Sequence, residues 1–86
     1  MFFVYVLRNK EKKLYVGYTK NLEQRIREHN SNHNGHTGKG DWECVYYEAF
    51  LDERDARARE RQLKNNGNAK RWLKERIRNS MNCENS

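Results

Sequence analysis

The sequence predicts a small α/β fold of the α+β type, in which a three-stranded antiparallel sheet is flanked by three helices. The chain has 86 residues, which is enough for one domain. Three Phe, five Tyr and two Trp can fill a packed core, even though charged residues make up 35% of the chain. Short apolar runs and helical spacings follow one another in the order β-β-α-β-α-α. That order is typical of helices packed on an antiparallel sheet.

The first two elements are predicted strands. Residues 2–7 are apolar and either β-branched or aromatic throughout, which is typical of a central strand buried on both faces. A polar turn over residues 9–11 leads into a second apolar run over residues 14–18. The two strands are therefore predicted to form a hairpin.

Two tyrosines and a glycine are predicted to share one face of this hairpin. With the turn centred on Lys10, Tyr5 lies directly opposite Tyr15, and Gly17 follows on the same face. Glycine weakens a strand, so its presence indicates that something approaches the backbone closely. We expect Gly17 to leave open space beside the tyrosine hydroxyl. The alternative is a tyrosine pair packed as core beside an incidental glycine.

The next elements follow from capping and spacing. A helix over residues 22–29 begins after Asn21, a residue type that caps helices well. A long polar loop over residues 30–41 comes next, and loops of this length in small domains are usually functional or mobile. Aromatic and β-branched residues over 42–50 then predict the third strand.

Two further helices complete the predicted domain. Asp52 is expected to cap a helix that runs through Lys64 and stops at Gly67, and Asn68 to cap a third helix that runs to about Arg78. Four apolar side chains of the third helix are expected to point inward: Ala69, Trp72, Leu73 and Ile77. The single domain is expected to span residues 1–78, with a polar, disordered tail over residues 79–86.

Positive charge is concentrated near the end of the chain. The formal net charge is +6, and residues 61–78 hold seven basic side chains against one acidic side chain. A localised basic surface suits a polyanion such as nucleic acid, and a solvated helix face is the alternative. The longest apolar run ends before Arg8, well short of the roughly 20 residues that a membrane span needs. We therefore expect a cytoplasmic protein with no membrane partner.

Charged residues occupy positions where the helical pattern points inward. At about 100° per residue, Arg25 and His29 fall on the apolar side of the first helix. Glu60 falls on the apolar side of the second, together with Arg59. Buried charges are costly unless they are paired or bind an ion, so an Arg25–Glu60 ion pair is the plain alternative. Together with the two phenols, these residues predict a polar pocket for a phosphodiester and a divalent cation held by Glu60.

The same residues resemble the motifs of the GIY-YIG nuclease superfamily. Residues 4–6 (VYV) keep the tyrosine of the first half-motif, and residues 15–17 (YVG) nearly match the second. The pattern is completed by Arg25, His29 and the stretch ERQLK at residues 60–64. The resemblance extends over residues 2–77 and is closest to the small stand-alone bacterial members of the superfamily.

This resemblance implies a metal-dependent DNA endonuclease that nicks one strand by hydrolysis. It implies that Tyr15 helps to deprotonate the attacking water and that Tyr5 hydrogen-bonds that water or the phosphate. Arg25 would offset the charge that builds on phosphorus. Glu60 would hold one Mg²⁺ or Mn²⁺, and His29 would relay a proton or contact phosphate. No small-molecule cofactor is implied.

DNA is the expected partner. A chain this short has no room for a sequence-recognition module, so binding is expected to be weak and either non-specific or directed by DNA structure. The predicted DNA contacts are Gly17, Tyr18, Arg25, Lys64, Lys70, Arg71 and Lys74. A monomer is expected, with a weak dimer as the alternative.

Two other functions stay open at this point. One is a catalytically idle domain that keeps the nuclease fold and binds nucleic acid. The other is a partner-binding module whose polar pocket is an ion-paired core. Excision-repair members of the superfamily carry a lysine at the position of Tyr18, which argues against a repair role. Metal-dependent cleavage separates the endonuclease from both alternatives, and salt-sensitive DNA binding separates the alternatives from each other.

Overall fold

The computed structural model describes residues 1–31 and 42–82. Its elements are β1 (Phe2–Arg8), β2 (Leu14–Thr19), α1 (Leu22–Ser31), β3 (Glu43–Phe50), α2 (Glu53–Asn65), α3 (Gly67–Arg76) and α4 (Arg78–Met81). The predicted α+β class and element order are confirmed, and a short fourth helix is added at the end. Most of the predicted loop over residues 30–41 lies outside the described residues. No helix in the described ranges is long and apolar enough to cross a membrane.

The central strand is β1. The sheet has the order β2-β1-β3, and β1 pairs antiparallel with both neighbours. Its edges are both paired, and its four middle residues, Val4 to Leu7, are at most 1% exposed, so its side chains are covered on both faces of the sheet. Burial of one Val or Leu side chain contributes about 1.5–3 kcal/mol. The apolar run at residues 2–7 is therefore the centre of the fold, as predicted.

The register of the β1–β2 hairpin differs from the predicted one by two residues. Tyr5 lies opposite Gly17, and Tyr15 lies opposite Leu7. The predicted direct pairing of Tyr5 with Tyr15 is therefore wrong. Side chains alternate between the two faces of a strand, so a shift of two residues still leaves both tyrosines and Gly17 on one face.

The loop over residues 9–13 causes this shift. The side-chain oxygen of Asn9 accepts hydrogen bonds from the backbone N–H groups of Glu11 and Lys13, at 2.9 Å each. Lys12 adopts a positive φ of 66°. This Asx-type arrangement makes a five-residue loop whose centre is residue 11, one residue later than expected. Moving the centre of a hairpin by one residue shifts the paired positions of its strands by two residues.

The helices α2 and α3 cover one face of the sheet. Their shared core with the strands consists of Val4, Val6, Val16, Ala56, Leu63, Ala69, Leu73 and Ile77. The helix α2 lies across the strands with one flank toward β2, where the Lys64 Nζ is 5.9 Å from the Tyr15 ring centroid. Its other flank is toward β3, where Arg59 Nε donates to both Glu48 oxygens at 3.0 and 3.1 Å.

The junction between α2 and α3 differs from the expected glycine stop. Asn66 ends α2 and also caps α3, because its side chain accepts hydrogen bonds from Asn68 N and Ala69 N. Gly67 is the first residue of α3 rather than the residue that stops α2. The predicted cap at Asn68 is therefore wrong by two residues. Extended backbone at a polar residue terminates α2 and begins the next helix without a left-handed glycine.

The buried side of α3 is narrower than predicted. Ala69, Leu73 and Ile77 are buried, in agreement with the prediction. Trp72, which was expected to point inward, is 65% exposed. At 100° per residue, the three buried residues define a line that leaves Trp72 on the flank of the helix.

The first residues of the predicted tail form a helical turn. Arg78–Met81 form α4, and Met81 packs against the core. The expectation of a disordered tail is therefore wrong for residues 79–81, because one apolar side chain is enough to dock this turn. Residues 83–86 lie outside the described residues.

Candidate functional site

Tyr5 and Gly17 form the base of the candidate site. The Tyr5 side chain is 1% exposed, and its ring lies directly over Gly17 of the neighbouring strand. A Cβ atom built at Gly17 would overlap the Tyr5 ring and hydroxyl. Gly17 thus provides room for Tyr5 itself. The expected open space beside the hydroxyl is filled, because the actual register places the ring over the glycine.

Three aromatic side chains converge with His29 at this point. The Tyr5 hydroxyl is 3.1 Å from His29 Nε2, within hydrogen-bonding distance. The Tyr15 ring centroid is 4.9 Å from that of His29 and 6.2 Å from that of Tyr5. Trp42 extends the group on the other side, 6.2 Å from the Tyr15 ring. Since Tyr15 is 40% exposed, the cluster opens to solvent at Tyr15 and is closed at Tyr5.

The electrostatics of the cluster assign different protonation states to Tyr5 and His29. Burial, followed by the nearby Tyr15, raises the pKa of Tyr5 well above its usual value, and Glu60 adds to the effect against the opposing Arg25. Burial and the Arg25 charge lower the pKa of His29, while Glu28 opposes them. At neutral pH the Tyr5 phenol therefore stays protonated and the His29 imidazole stays neutral. A neutral imidazole can accept a proton.

Arg25 and Glu60 lie at the rim of the cluster in separate ion pairs. Arg25 pairs with Glu28 on its own helix at 3.3 Å, and its side chain is 47% exposed. Glu60 pairs with Lys64 at 3.2 Å, and its side chain is 23% exposed. The expected alternative, an Arg25–Glu60 ion pair, is therefore not formed. Arg25 is also less buried than predicted, although its charge still acts on Tyr5 and His29.

Glu60 is a carboxylate beside the cluster that could bind a cation. Within residues 1–31 and 42–82, no group of three or more His, Cys, Asp or Glu side chains is arranged to hold a metal ion. Mg²⁺ commonly keeps several water ligands and uses one or two carboxylates together with substrate phosphate. Glu60, half-buried and next to the phenols, fits that mode of binding. Its present partner Lys64 would have to move.

Comparison with known proteins decides the family. Residues 1–76 match the GIY-YIG catalytic domain. The chain belongs to the GIY-YIG family.

Its similar relatives are small proteins. The chain is 41% identical to a UPF0213 protein of Clostridium perfringens over 66 residues, which cover 74% of this chain and 71% of the relative. It is 34% identical to a UPF0213 protein of Oceanobacillus iheyensis over 64 residues, covering 72% and 74%. A UPF0213 protein of Pediococcus acidilactici is 34% identical over 82 residues, covering 77% and 84%. No solved structure matches the chain.

The family assignment identifies a nuclease domain, and with it a nucleic acid as the class of substrate. GIY-YIG nucleases generally use divalent metal ions. The predicted catalytic residues Tyr5, Tyr15 and His29 lie together, and the charges of Arg25 and Glu60 act on Tyr5. The β1–β2 hairpin therefore brings the two half-motifs together at Tyr5 and Tyr15. The helices α1 and α2 supply the charged residues Arg25 and Glu60.

Two predicted DNA contacts are not available on this side of the sheet. Gly17 is buried beneath Tyr5, so it has no surface for the predicted contact. Tyr18 points to the opposite face, where its hydroxyl donates to Glu53 at 2.8 Å and its ring lies 4.6 Å from the Arg57 guanidinium carbon. Because side chains alternate between the two faces of the sheet along β2, Tyr18 lies on the opposite face from Tyr15.

The predicted basic contacts fall in two places. Lys64 lies beside Tyr15 and Glu60, at the candidate active site. On α3, Lys70 and Lys74 are one turn apart on one flank, and Arg71 is on the outer side of the helix.

Trp42 is a neighbour of Tyr15 that the sequence did not predict. Its sequence signal, a tryptophan at the start of a strand, is shared with many core residues. A network behind α2 was also not predicted, in which Tyr46 donates to Glu48 and Glu48 accepts from Arg59. This network fixes α2 against β3 on the side away from Glu60. Pairing across the sheet, which the linear sequence does not specify, creates both features.

Proposed function

We propose that this protein is a metal-dependent DNA endonuclease that hydrolyses one phosphodiester bond of one strand. The observation that carries the proposal is the convergence of Tyr5, Tyr15 and His29 within a GIY-YIG domain, with ring centroids 4.9–6.2 Å apart. The alternative of a purely structural, ion-paired core is disfavoured, because Arg25 and Glu60 pair locally and leave the cluster open at Tyr15.

In this proposal His29 and Tyr15 handle the attacking water. Tyr15 is exposed and orients a water molecule toward the phosphorus atom. His29 is neutral at pH 7 and takes up the proton of that water. Tyr5 remains a phenol because burial raises its pKa, so its role is to orient His29 through their hydrogen bond.

Arg25 and Glu60 supply the charge that the reaction needs. Arg25 lies at the rim, where its guanidinium can bind the non-bridging oxygens as negative charge builds on the phosphate. Glu60 would hold one Mg²⁺ or Mn²⁺, which supplies stabilisation of the leaving 3′ oxygen when bound. Lys64 would then leave its ion pair with Glu60 and contact a DNA phosphate instead.

Plasmid nicking tests the proposal. Supercoiled DNA is incubated with the wild type, Glu60→Gln and Arg25→Ala in the presence of Mg²⁺ or Mn²⁺. We expect metal-dependent nicking by the wild type, and a loss of about a hundredfold or more in each variant, because each removes charge stabilisation from the transition state.

The matched controls are Arg27→Ala and Glu23→Gln. Arg27 and Glu23 pair with each other on the exposed side of α1 at 3.8 Å, so removing either should leave the rate within about twofold of the wild type. Wild-type activity in Glu60→Gln would contradict the proposal. Absence of nicking by the wild type, with salt-sensitive DNA binding retained, would instead support the idle binding domain.

A further inference from the structure

A groove between α2 and α3 lies apart from the candidate active site. It has a volume of about 510 Å³, and its lining includes Arg59, Gln62, Trp72, Leu73, Glu75 and Arg76. The Trp72 side chain is 65% exposed within it. An exposed Trp beside a groove is informative, because Trp is among the residues with the most apolar surface to bury.

The helix geometry places this groove on the opposite flank of α2 from Glu60 and Lys64. Arg59 lies on the β3 side, where it donates to Glu48 and, at 2.7 Å, to Gln62 Oε1. Glu60 and Lys64 lie on the β2 side, next to Tyr15. Trp72 therefore contributes nothing to the phenol cluster, and a ligand that contacts both must cross α2.

The charge around Trp72 identifies the ligand class. Arg76 follows Trp72 by one helical turn on the same flank, and both residues line the groove. Arg71 lies next to Trp72 on the outer side of α3, and Glu75 is the single acidic residue of this helix. Lys70 and Lys74 lie on the other flank of α3 from Trp72. Aromatic faces combined with basic side chains are how proteins bind single strands: bases stack on the rings, and cations contact the phosphates.

We propose that Trp72 is a stacking platform for an unpaired base of a DNA strand whose phosphates contact Arg71 and Arg76 beside it. This inference rests on the proposed endonuclease function and names its substrate class, a DNA with a single-stranded segment such as a flap or branch. A base in a continuous duplex is already stacked on its neighbours. An unpaired base can lie on Trp72 without the free-energy cost of breaking a base pair and its stacking.

Binding measurements without metal test the inference, since no cleavage then occurs. Fluorescence anisotropy compares a labelled oligothymidine with a duplex of the same length for the wild type, Trp72→Ala and Trp72→Phe. We expect Trp72→Ala to weaken oligothymidine binding by about five- to a hundredfold, the loss typical of one stacked base. Duplex affinity should change by less than about twofold, and Trp72→Phe should retain most of the single-strand affinity.

Leu51→Ala is the control, because Leu51 is 84% exposed and its loss also removes an exposed apolar side chain. It should bind both DNAs like the wild type, and circular dichroism should show the same helix content in all variants. Unchanged oligothymidine binding in Trp72→Ala would overturn the inference. Equal losses on single strand and duplex would also overturn it, as would a dimer in the wild type that becomes a monomer in Trp72→Ala.

The two proposals fail separately. If the wild type does not nick DNA but its preference for single strands depends on Trp72, the endonuclease proposal is wrong and the stacking site stands. If nicking depends on Glu60 while oligothymidine binding ignores Trp72, the stacking site is wrong and the endonuclease stands.

Discussion

Tyr5 and Gly17 depend on each other at the centre of the candidate site. The ring can lie flat on the neighbouring strand only because residue 17 has no side chain. This packing buries the phenol, raises its pKa and directs its hydroxyl toward His29. Gly17 of the second half-motif thus positions Tyr5 of the first half-motif because it has no side chain.

Substituting Gly17 with Ala tests this packing. We expect the free energy of unfolding to fall by about 1–3 kcal/mol, because the added methyl group overpacks the space that Tyr5 fills. Urea unfolding followed by circular dichroism measures the change. Gly67→Ala is the matched control: nothing lies within 4 Å of its added Cβ, so stability should stay equal or rise by up to about 1 kcal/mol. Wild-type stability in Gly17→Ala would show that Tyr5 is not fixed there.

At the scale of elements, one asparagine organises the turn between α2 and α3. The Asn66 backbone N–H donates to Gln62 O at 2.9 Å and closes α2. Its side-chain oxygen accepts from Asn68 N at 2.9 Å and Ala69 N at 3.2 Å and opens α3. The direction of α3, and hence the groove that holds Trp72, follows from this one residue and its extended backbone.

Removing the cap should lower stability. We expect Asn66→Ala to reduce the free energy of unfolding by about 1 kcal/mol, since two N–H groups at the start of α3 lose their acceptor. Asn66→Asp keeps an acceptor oxygen and should stay close to the wild type. Asn65→Ala, an exposed position in the last turn of α2, controls for the loss of an asparagine. Equal stabilities of Asn66→Ala and Asn65→Ala in urea unfolding would argue against the cap.

For the molecule as a whole, the excess charge is placed asymmetrically. The net charge is +6, and the basic residues gather in α3 and the last turn of α2. Sequence-independent phosphate contacts by such a surface release counterions from the DNA. In the proposed function, this long-range attraction would bring DNA to the protein, and the tyrosine–histidine cluster would act on a single bond.

Salt titration measures this contribution. We expect duplex affinity to fall steeply as salt rises, and the slope of log K against log salt to shrink by about 0.9 for each phosphate contact removed. Lys74→Ala and Arg71→Ala should each reduce the slope by about that amount. Lys13→Ala, at the exposed tip of the hairpin, should leave it unchanged. A wild-type slope in both α3 variants would show that α3 does not carry the phosphate contacts.

Several features of this protein are determined locally and could be predicted. The β1 run, the alternation along β2 and the buried line of α3 each follow from side chains a few residues apart. The same spacing placed Tyr5, Tyr15 and His29 on faces that can meet, and the structure brings the three rings together, while their catalytic roles stay a prediction. Short-range periodicity is enough for this because it fixes which way each side chain points.

Other features were decided only by the tertiary structure. Asn9 moved the centre of the hairpin loop and so placed Tyr5 over Gly17. Arg25 and Glu60 form ion pairs with Glu28 and Lys64 on their own helices, although the helical pattern allowed them to pair with each other. Trp72 stayed exposed because Ala69, Leu73 and Ile77 form the side of α3 that faces the core. In each case the local pattern allowed more than one arrangement, because residue spacing alone does not fix the centre of a turn, the partner of a charge or the width of a buried helix side.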